Sequence, residues 1–432
     1  MAKRLVKGGR LIGPAQGQDE TRDLWIVGSA ISSGRFPEAD ADETIDATGM
    51  LVMPGFVDPH VHLREPGDEA AETIATGCAA ALAGGYTAVG VMPNTKPCTD
   101  SPELADFVLR RAAACTAPLV RVIAALTAGR SGRELADLEA FANDLHGRVA
   151  GFTDDGAGVQ DESLVRRAMA FCAQYDVPYV EHCEFSDISA GGLVHPCAEA
   201  EKRSLKGYPA EAEWRMIARD LRLAGETGAH VHFQHLSAAR SVELIAEAKA
   251  RGGVHVTCEV TPHHLFLTVD DALRGGTNFK INPPLRAEED RRALVAGLKD
   301  GIIDMIATDH APHTPASKAR PFAEAPNGVI GLETAAALVW TKLVEPGILT
   351  PHEMVARMSV APARLLGVPA TEVFADANAA NLVVFDPRAR WTVDASAFAS
   401  RSRNCPFDGW ALRGRATVTF VEGEVRYRAD LC

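Results

Sequence analysis

The chain has 432 residues, of which 44 are Lys or Arg and 57 are Asp or Glu, so its formal net charge is −13. This acidic balance argues against a protein that binds the phosphate backbone of nucleic acids, because no excess of cations is available to displace counterions. Charged residues make up 23% and hydrophobic residues 47% of the chain, which is typical of a folded globular protein and not of a disordered one. The length corresponds to about three domain-sized units, or to one large barrel with an appendage.

The sequence predicts a cytoplasmic protein without membrane spans. No apolar run approaches the roughly 20 residues that a transmembrane helix requires. The basic start, residues 1–10, lacks the apolar core of a signal peptide. The nine cysteines include no Cys-X-X-Cys pair, a distribution that favours reduced thiols.

The two ends of the chain carry short apolar runs separated by glycines. These runs are Lys3–Ile12 and Leu24–Ile31 in residues 1–53, and Ala380–Phe385 and Ala416–Tyr427 in residues 367–432. Within the last run, Glu422-Gly423-Glu424 predicts a hairpin turn. Because chain termini often meet in space, we expect both ends to form one small β-domain, with residues 54–366 as a separate unit.

Between the two ends, strand-like and helix-like stretches alternate eight times. The strand-like runs are Leu51–Leu63, Tyr86–Met92, Leu119–Leu126, Val149–Thr153, Val177–Glu181, His230–Leu236, Val254–Val260 and Ile302–Thr308. Helix starts are indicated at Ser101, which precedes Pro102, and at Ser131, which has capping-box spacing to Glu134. Such alternation predicts parallel strands, for which a closed (β/α)₈ barrel is the simplest arrangement and an open doubly wound sheet the alternative.

Residues with metal-binding side chains follow five of the predicted strands. The segments that carry them are Asp58–Arg64, Phe152–Gly156, Glu181–Glu184, His230–His235 and Ala307–His313. In a barrel the carboxyl ends of the strands meet at one face, where catalytic groups lie. Imidazole nitrogen and carboxylate oxygen are ligands that suit Zn²⁺, with Mn²⁺ or Co²⁺ as looser fits.

The alternation of side chains along a strand indicates which of these candidates share a face. His60 and His62 are two residues apart, so both rings point to one face, and Arg64 continues on that face. Asp154 and Asp155 are adjacent and must point in opposite directions, so at most one of them faces inward. Parity alone does not identify which of the two does.

Among the histidines of the sixth strand, His230 and His232 share a face, whereas His235 has the other parity but lies nearer the rim. Its position nearer the rim favours His235 as the metal ligand. Taken singly, Asp309 could cap a helix and His182 could be a buried core histidine. The placement of such residues at the same end of five strands favours a metal centre over these separate explanations.

Several stretches resemble the bacterial class I dihydroorotases of the amidohydrolase superfamily. They are Gly55–Gly67, Met92–Thr95, Phe152–Gly156, Asn282–Arg286 and Ala307–His313. The resemblance runs essentially from end to end, and the combination of His-X-His-Leu-Arg with Met-Pro-Asn-Thr is specific. It implies a (β/α)₈ barrel with a β-domain built from both termini.

The resemblance also implies a ligand set for one or two zinc ions. The residues concerned are His60, His62, Asp155, His182, His235 and Asp309. Many relatives bridge two metals with a carboxylated lysine, and here that position matches Asp155, which is therefore the expected bridge. Asp155 is thereby preferred over Asp154.

Dihydroorotases interconvert N-carbamoyl-L-aspartate and L-dihydroorotate in pyrimidine biosynthesis, and the resemblance implies this activity. The metal site is expected to supply a bound hydroxide, with Asp309 as general base and general acid. Arg64 presents a planar fork that matches the free carboxylate of the substrate. The full set of expected substrate contacts is His62, Arg64, Asn94, Asn282, His313, Asn327 and Gly328.

Two positions depart from the usual family pattern: Phe185 replaces an acidic residue, and Asn327 stands where relatives have an aromatic residue or proline. Another cyclic amidohydrolase, an allantoinase or hydantoinase, is one alternative, which Arg64 and Asn94 oppose because they suit a substrate carboxylate. An inactive scaffold of aspartate carbamoyltransferase is the other, which the six filled ligand positions oppose. We expect a homodimer that can associate with aspartate carbamoyltransferase.

Overall fold

The computed structural model describes residues 1–13, 17–34, 36–369 and 373–429. The strands within these ranges are β1 Lys3–Gly13, β2 Gln18–Val27, β3 Ala30–Ser32, β4 Glu43–Asp46, β5 Leu51–Pro54, β6 Phe56–Val61, β7 Tyr86–Val91, β8 Leu119–Ala125, β9 Val149–Thr153, β10 Tyr179–Glu181, β11 His230–Phe233, β12 His255–Val260, β13 Met305–Ile306, β14 Leu382–Thr392, β15 Ala411–Val421 and β16 Glu424–Arg428.

The helices of the same ranges lie mostly between the strands β6 to β13 and after them. They are α1 Ile74–Ala83, α2 Pro102–Ala113, α3 Glu162–Gln174, α4 Ser186–Ser189, α5 Ala198–Lys202, α6 Glu211–Thr227, α7 Ala239–Arg251, α8 Pro262–Phe266, α9 Val269–Gly275, α10 Glu288–Lys299, α11 Pro315–Lys318, α12 Ala335–Val339, α13 Pro351–Val355 and α14 Ala361–Leu366. Among the described residues, no helix has the length and apolar character that crossing a bilayer requires.

Strands β6 to β13 form one parallel sheet in which each strand lies next to its neighbour in the chain. The first and last strands meet where Val61 pairs in parallel with His310, just beyond β13. At this seam His62 N donates to His310 O at 2.9 Å. The sheet therefore closes into a barrel, and the prediction of a (β/α)₈ fold is confirmed over the open doubly wound sheet.

The remaining strands form a second sheet that draws on both ends of the chain, as predicted. Its order is β16-β15-β14-β5-β1-β2-β3, and β4 pairs with β1. The run Leu51–Leu63 is thus two strands, because β5 joins this terminal sheet and β6 begins the barrel. They separate at Gly55, where any Cβ would collide with the side chain of Thr87. The predicted hairpin joins β15 to β16, with Glu422 and Gly423 both at positive φ.

One predicted element is wrong. Ser131 and Glu134 do not begin a helix, and the connection between β8 and β9 contains only 3₁₀ segments, at Ala128–Arg130 and Leu138–Phe141. Here Ala128 N donates to Glu134 O at 3.0 Å, and Thr127 N donates to Asp154 Oδ1 at 2.9 Å. These bonds between separate segments hold the backbone away from a helix, although the local spacing favours one.

Candidate active site

A cavity of about 200 Å³ opens at the carboxyl ends of the barrel strands. The residues that line it are His62, Arg64, Asn94, Asp155, Gly156, His182, His235, Asn282, Asp309, Ala311, His313, Asn327 and Gly328. All the predicted substrate contacts and all the predicted ligands line this cavity except His60, which is fully buried. Six strand ends and two further loops contribute to one cavity.

Asp155 lies between two pairs of histidines. Its carboxylate oxygens are 3.4 Å from His60 Nε2 and 3.6 Å from His62 Nε2. On the other side they lie 3.8 Å from both His182 Nδ1 and His235 Nε2. Two buried groups of three possible ligands therefore share Asp155.

Three of these imidazoles are held through the nitrogen that faces away from Asp155. The bonds are His60 Nδ1–H to Glu259 Oε1 at 2.6 Å, His62 Nδ1–H to Asn94 Oδ1 at 2.7 Å, and His182 Nε2–H to Glu184 Oε2 at 3.2 Å. When the outward nitrogen donates its hydrogen, the inward nitrogen of a neutral imidazole presents a lone pair. The donor set therefore fits a divalent metal of the Zn²⁺ type.

The choice between the adjacent aspartates follows from their backbone contacts. Asp154 Oδ1 accepts from Leu126 N at 3.0 Å and from Thr127 N at 2.9 Å, so its side chain secures the end of β8. Asp155 points the other way, into the cavity. The structure thus separates the two residues that strand parity left equivalent.

His235 reaches the cavity because it lies beyond its strand. β11 ends at Phe233, and His235 has a φ of 29°, outside extended geometry. His230 and His232 remain in the strand, and both rings hydrogen-bond to Thr257 Oγ1, at 2.8 and 2.9 Å. The alternation of side chains that applies within a strand does not govern the residues after it.

Three cavity residues have left-handed backbone conformations although none is glycine. The φ values are 59° at Arg64, 29° at His235 and 46° at Asp309. Such conformations cost free energy for residues with a Cβ and persist where the surrounding contacts impose them, often at functional sites. They turn each side chain toward the cavity just after its strand ends.

Asp309 approaches the first histidine pair from the last strand. Its Oδ1 is 3.0 Å from His62 Nε2 and 3.5 Å from His60 Nε2. Burial would raise the pKa of Asp309, but the neighbouring imidazoles of His60 and His62 outweigh it and hold the pKa below its usual range. The carboxylate is therefore ionised at neutral pH and can accept a proton.

Arg64 and His313 form another part of the cavity wall. Arg64 is half-buried and donates one bond, from Nε to Pro312 O at 3.1 Å. His313 Nε2–H donates to Asn327 O at 2.7 Å. Burial and the neighbouring charge of Arg64 lower the pKa of His313 to about 3, so the ring is neutral at pH 7. The wall carries one fixed positive charge, on Arg64.

Two amide side chains complete the lining. Asn94 Nδ2 donates to Asp155 Oδ2 at 3.2 Å, so Asn94 ties Asp155 to His62 as well as lining the cavity. Asn282 Nδ2 donates to Glu184 Oε2 at 2.9 Å. The Oδ1 atom of Asn282 is buried and receives no hydrogen bond from any described residue. This oxygen is a buried acceptor without a described partner, on a residue that lines the cavity.

The sequence analysis missed Glu259 and Glu184 as functional residues. Glu259 lies on β12 two residues after Thr257, so it shares the inward face of the barrel with that residue. Glu184 follows His182 by two residues in a segment that the sequence analysis assigned to a strand end. An inward carboxylate near the end of a barrel strand was the signal that could have identified Glu259.

Phe185, one of the two departures from the family pattern, is not among the residues that line the cavity. Its ring lies under the guanidinium of Arg219, 5.1 Å from Arg219 Cζ, and packs against the barrel core. Asn327, the other departure, contributes its backbone carbonyl to His313 and lines the cavity. Of the two departures, the one at Asn327 therefore lies at the cavity.

Comparison with known proteins places the chain in a class and then in a family. Residues 51–426 match the Amidohydrolase family, and the chain belongs to it. It is 46% identical to a dihydroorotase of Pelotomaculum thermopropionicum over 424 residues, which cover 98% of both chains. It is 41% identical to a dihydroorotase of Syntrophus aciditrophicus over 99% of this chain and 100% of that one. Within the amidohydrolases, the chain belongs to the dihydroorotase family.

The fold has relatives outside that family. L-Hydantoinase (dihydropyrimidinase) from Arthrobacter aurescens superposes with a TM-score of 0.86 and 27% sequence identity, over 98% of this chain and 96% of that one. Fold alone does not select a substrate, because one barrel supports many reactions. The higher identity to dihydroorotases over nearly the whole chain separates the two groups.

Proposed function

We propose that this chain catalyses the dihydroorotase reaction, the reversible cyclisation of N-carbamoyl-L-aspartate to L-dihydroorotate and water in pyrimidine biosynthesis. One observation carries the proposal. A single small cavity combines two groups of possible metal ligands that share Asp155 with the cation of Arg64 and with Asn282, whose Oδ1 has no described hydrogen-bond partner. A cyclic amide that bears a free carboxylate uses each of these features. The identity of 41 to 46% to dihydroorotases supports the same assignment.

We propose zinc as the metal, with two ions in the site. His60 and His62 would hold one ion, His182 and His235 the other, and Asp155 would be shared between them. When bound, such ions lower the pKa of water and polarise the carbonyl oxygen of an amide. The imidazole nitrogens that face Asp155 present lone pairs, and this supports the assignment of a metal to the site.

Proton movement falls to Asp309. In ring opening, the oxygen of water bonds to the ring carbonyl carbon, and the carbon–nitrogen bond of the amide breaks. Asp309 accepts a proton from the attacking water and returns it to the departing ring nitrogen, which becomes the terminal NH2 of the carbamoyl group, while the attacked carbonyl becomes a carboxyl group. In ring closure the same carboxylate carries the proton in the reverse direction. Its position beside His62, at 3.0 Å, supports the role.

Substrate orientation falls to the polar residues of the cavity wall. Arg64 binds the free carboxylate through the fork of its guanidinium, and Asn94 can add the second N–H of its amide. Asn282 Oδ1 accepts a ring N–H, which satisfies an oxygen that no described residue reaches. His313 and the backbone at residues 327 and 328 close the cavity beside the ring.

The test is turnover of L-dihydroorotate by the purified, zinc-loaded protein, followed as loss of the absorbance of the ring. Allantoin and hydantoin are assayed in parallel at the same enzyme concentration. Preferential opening of dihydroorotate is the expected result. Preferential opening of another ring would overturn the substrate assignment, and inactivity on all three with metal bound would favour a scaffold role.

We further propose a cytoplasmic homodimer that can associate with aspartate carbamoyltransferase. These proposals rest on the resemblance to dihydroorotases, and the cytoplasmic location is also supported by the absence of any Cys-X-X-Cys pair among the nine cysteines. Light scattering coupled to size-exclusion chromatography measures the first association. The same experiment with added aspartate carbamoyltransferase measures the second.

A further inference from the structure

Residues 394–409, which we call the rim loop, leave the terminal sheet and reach the catalytic end of the barrel. The loop starts after β14 and returns to β15, and its two ends are joined where Val393 N donates to Trp410 O at 2.9 Å and Gly409 N donates to Val393 O at 2.8 Å. A compact surface loop with paired ends holds its own shape. The rim loop thus carries residues of the terminal β-domain to the edge of the active-site cavity.

Asn404, in the rim loop, is 2% exposed and uses its whole amide group. Its Nδ2 donates to Ala311 O and to Gly328 O, both at 3.0 Å. Its Oδ1 accepts from His313 N at 3.2 Å. One side chain therefore connects the loop that follows β13 with the segment that carries Asn327 and Gly328.

These two connected segments are in close contact with each other. Gly328 has a φ of 131°, and a Cβ on it would lie 2.7 Å from Ala311 Cβ and 3.0 Å from His313 Nε2. Lys318 Nζ approaches the same segment from the other side and donates to Gly328 O at 2.9 Å and to Pro326 O at 3.0 Å. The spacing between His313 and Gly328 is therefore set by a few donors to backbone carbonyls.

We propose that Asn404 is a positioning residue for substrate binding: through Ala311, Gly328 and His313 it fixes the width of the cavity wall that faces the ring. The proposal rests on the proposed function, since His313 and Gly328 are substrate contacts only if the ring binds here. Asn404 does not line the cavity and acts through the residues that do. The terminal β-domain thereby takes part in substrate recognition.

Asn404→Asp is the primary test because it preserves the shape of the side chain. The carboxylate keeps the acceptor for His313 N but loses both donors and turns an oxygen toward two carbonyls. We expect the KM for dihydroorotate to rise about 10- to 100-fold, as for a substrate wall displaced by a fraction of an ångström to an ångström. The kcat should change by less than about threefold, because the lost contacts act on substrate and transition state alike.

Two further variants separate positioning from general stability. Ser402→Ala removes a different hydrogen bond of the rim loop, from Ser402 Oγ to Ala71 O at 2.7 Å. This bond involves no residue that lines the cavity, so the KM should stay within about twofold of the wild-type value. Lys318→Met leaves Asn404 intact but removes the other donor to Gly328 O. It should raise KM by about threefold to tenfold, as for one hydrogen bond, and it provides the test if Asn404→Asp does not fold.

The zinc content and circular dichroism spectrum of each variant are measured beside its kinetics. A raised KM in the Asn404 and Lys318 variants, with zinc content and kcat kept and Ser402→Ala unchanged, supports the proposal. An unchanged KM in folded Asn404→Asp, or an equal rise in Ser402→Ala, overturns it while the proposed function stands. A wild-type protein that does not open dihydroorotate overturns both.

Discussion

Replacing Glu259 by Gln removes one negative charge from beneath the first pair of histidines and changes little else in shape. Glu259 is 1% exposed, accepts His60 Nδ1–H at 2.6 Å and also bonds His232 Nε2 at 3.1 Å. Burial would raise the pKa of Glu259, but the neighbouring imidazole of His60 and the hydrogen bonds from His232 and His60 lower it to about 2. An ionised acceptor therefore orients His60 with its inward nitrogen free for a metal.

The expected loss can be estimated from this geometry. A hydrogen bond to a buried charged acceptor contributes about 1.5–3 kcal/mol, and loss of an outer-shell partner of a metal-binding histidine typically lowers metal affinity by about 10- to 100-fold. That range equals about 1.4–2.7 kcal/mol, so the two figures agree. We therefore expect Glu259→Gln to bind zinc about 10- to 100-fold more weakly than the wild-type protein.

Zinc affinity is measured by competition with a chromophoric chelator, and zinc content by elemental analysis after dialysis. Asp304→Asn is the matched control, because Asp304 Oδ2 accepts from Cys258 N at 2.8 Å and from Lys249 Nζ at 2.7 Å and bonds to none of the proposed metal ligands. It should lower the free energy of unfolding without changing zinc affinity. Zinc affinity of Glu259→Gln within about twofold of the wild-type value would refute the argument that this carboxylate orients His60.

Three other predictions follow from the same structure. Asp309→Asn should keep its zinc and lose about 10²–10⁴-fold in kcat, because an amide cannot carry the proton; turnover near the wild-type rate would assign that role to another group. Arg64→Lys should raise the KM for dihydroorotate about tenfold or more despite the retained charge, since a lysine lacks the bidentate fork, and an unchanged KM in steady-state kinetics would contradict this. Burial and nearby Glu72 raise the pKa of Glu333 to about 7, above its ordinary 4.5. Between these two values the native state binds a proton that the unfolded state does not, so the stability of the wild-type protein falls as the pH rises from 4.5 to about 7. Urea unfolding should therefore show Glu333→Gln gaining stability relative to the wild type between about pH 5 and pH 8, and a constant difference would be inconsistent with a raised pKa.

Strand parity and spacing were sufficient for part of the site. His60 lies on β6 and His62 is the first residue after it, and both rings do point toward Asp155, as the alternation of side chains predicts. Parity was not sufficient for Asp155, because its neighbour Asp154 is just as polar. That choice depends on Leu126 N and Thr127 N, which belong to another strand end and hold Asp154 in place.

Residues beyond the strand ends were harder to place for a related reason. His235 enters the cavity through a left-handed backbone conformation, which no local pattern indicates. The helix expected at Ser131 failed in the same way, since Thr127 and its neighbours are held by bonds from other segments. In both cases contacts between distant parts of the chain outweigh a local preference.

The sequence by itself determined the architecture and the chemistry of the site. Eight alternations of strand and helix are encoded locally, by periodicity, and five strand ends with nitrogen and oxygen ligands must meet once those strands are parallel. The tertiary structure alone decided how these ligands are held. Glu259 reaches His60 across 199 residues of sequence, and Asn404 reaches Ala311 across 93. Such contacts form only when the barrel closes and the rim loop docks against it, and neither event corresponds to a periodic pattern in the sequence.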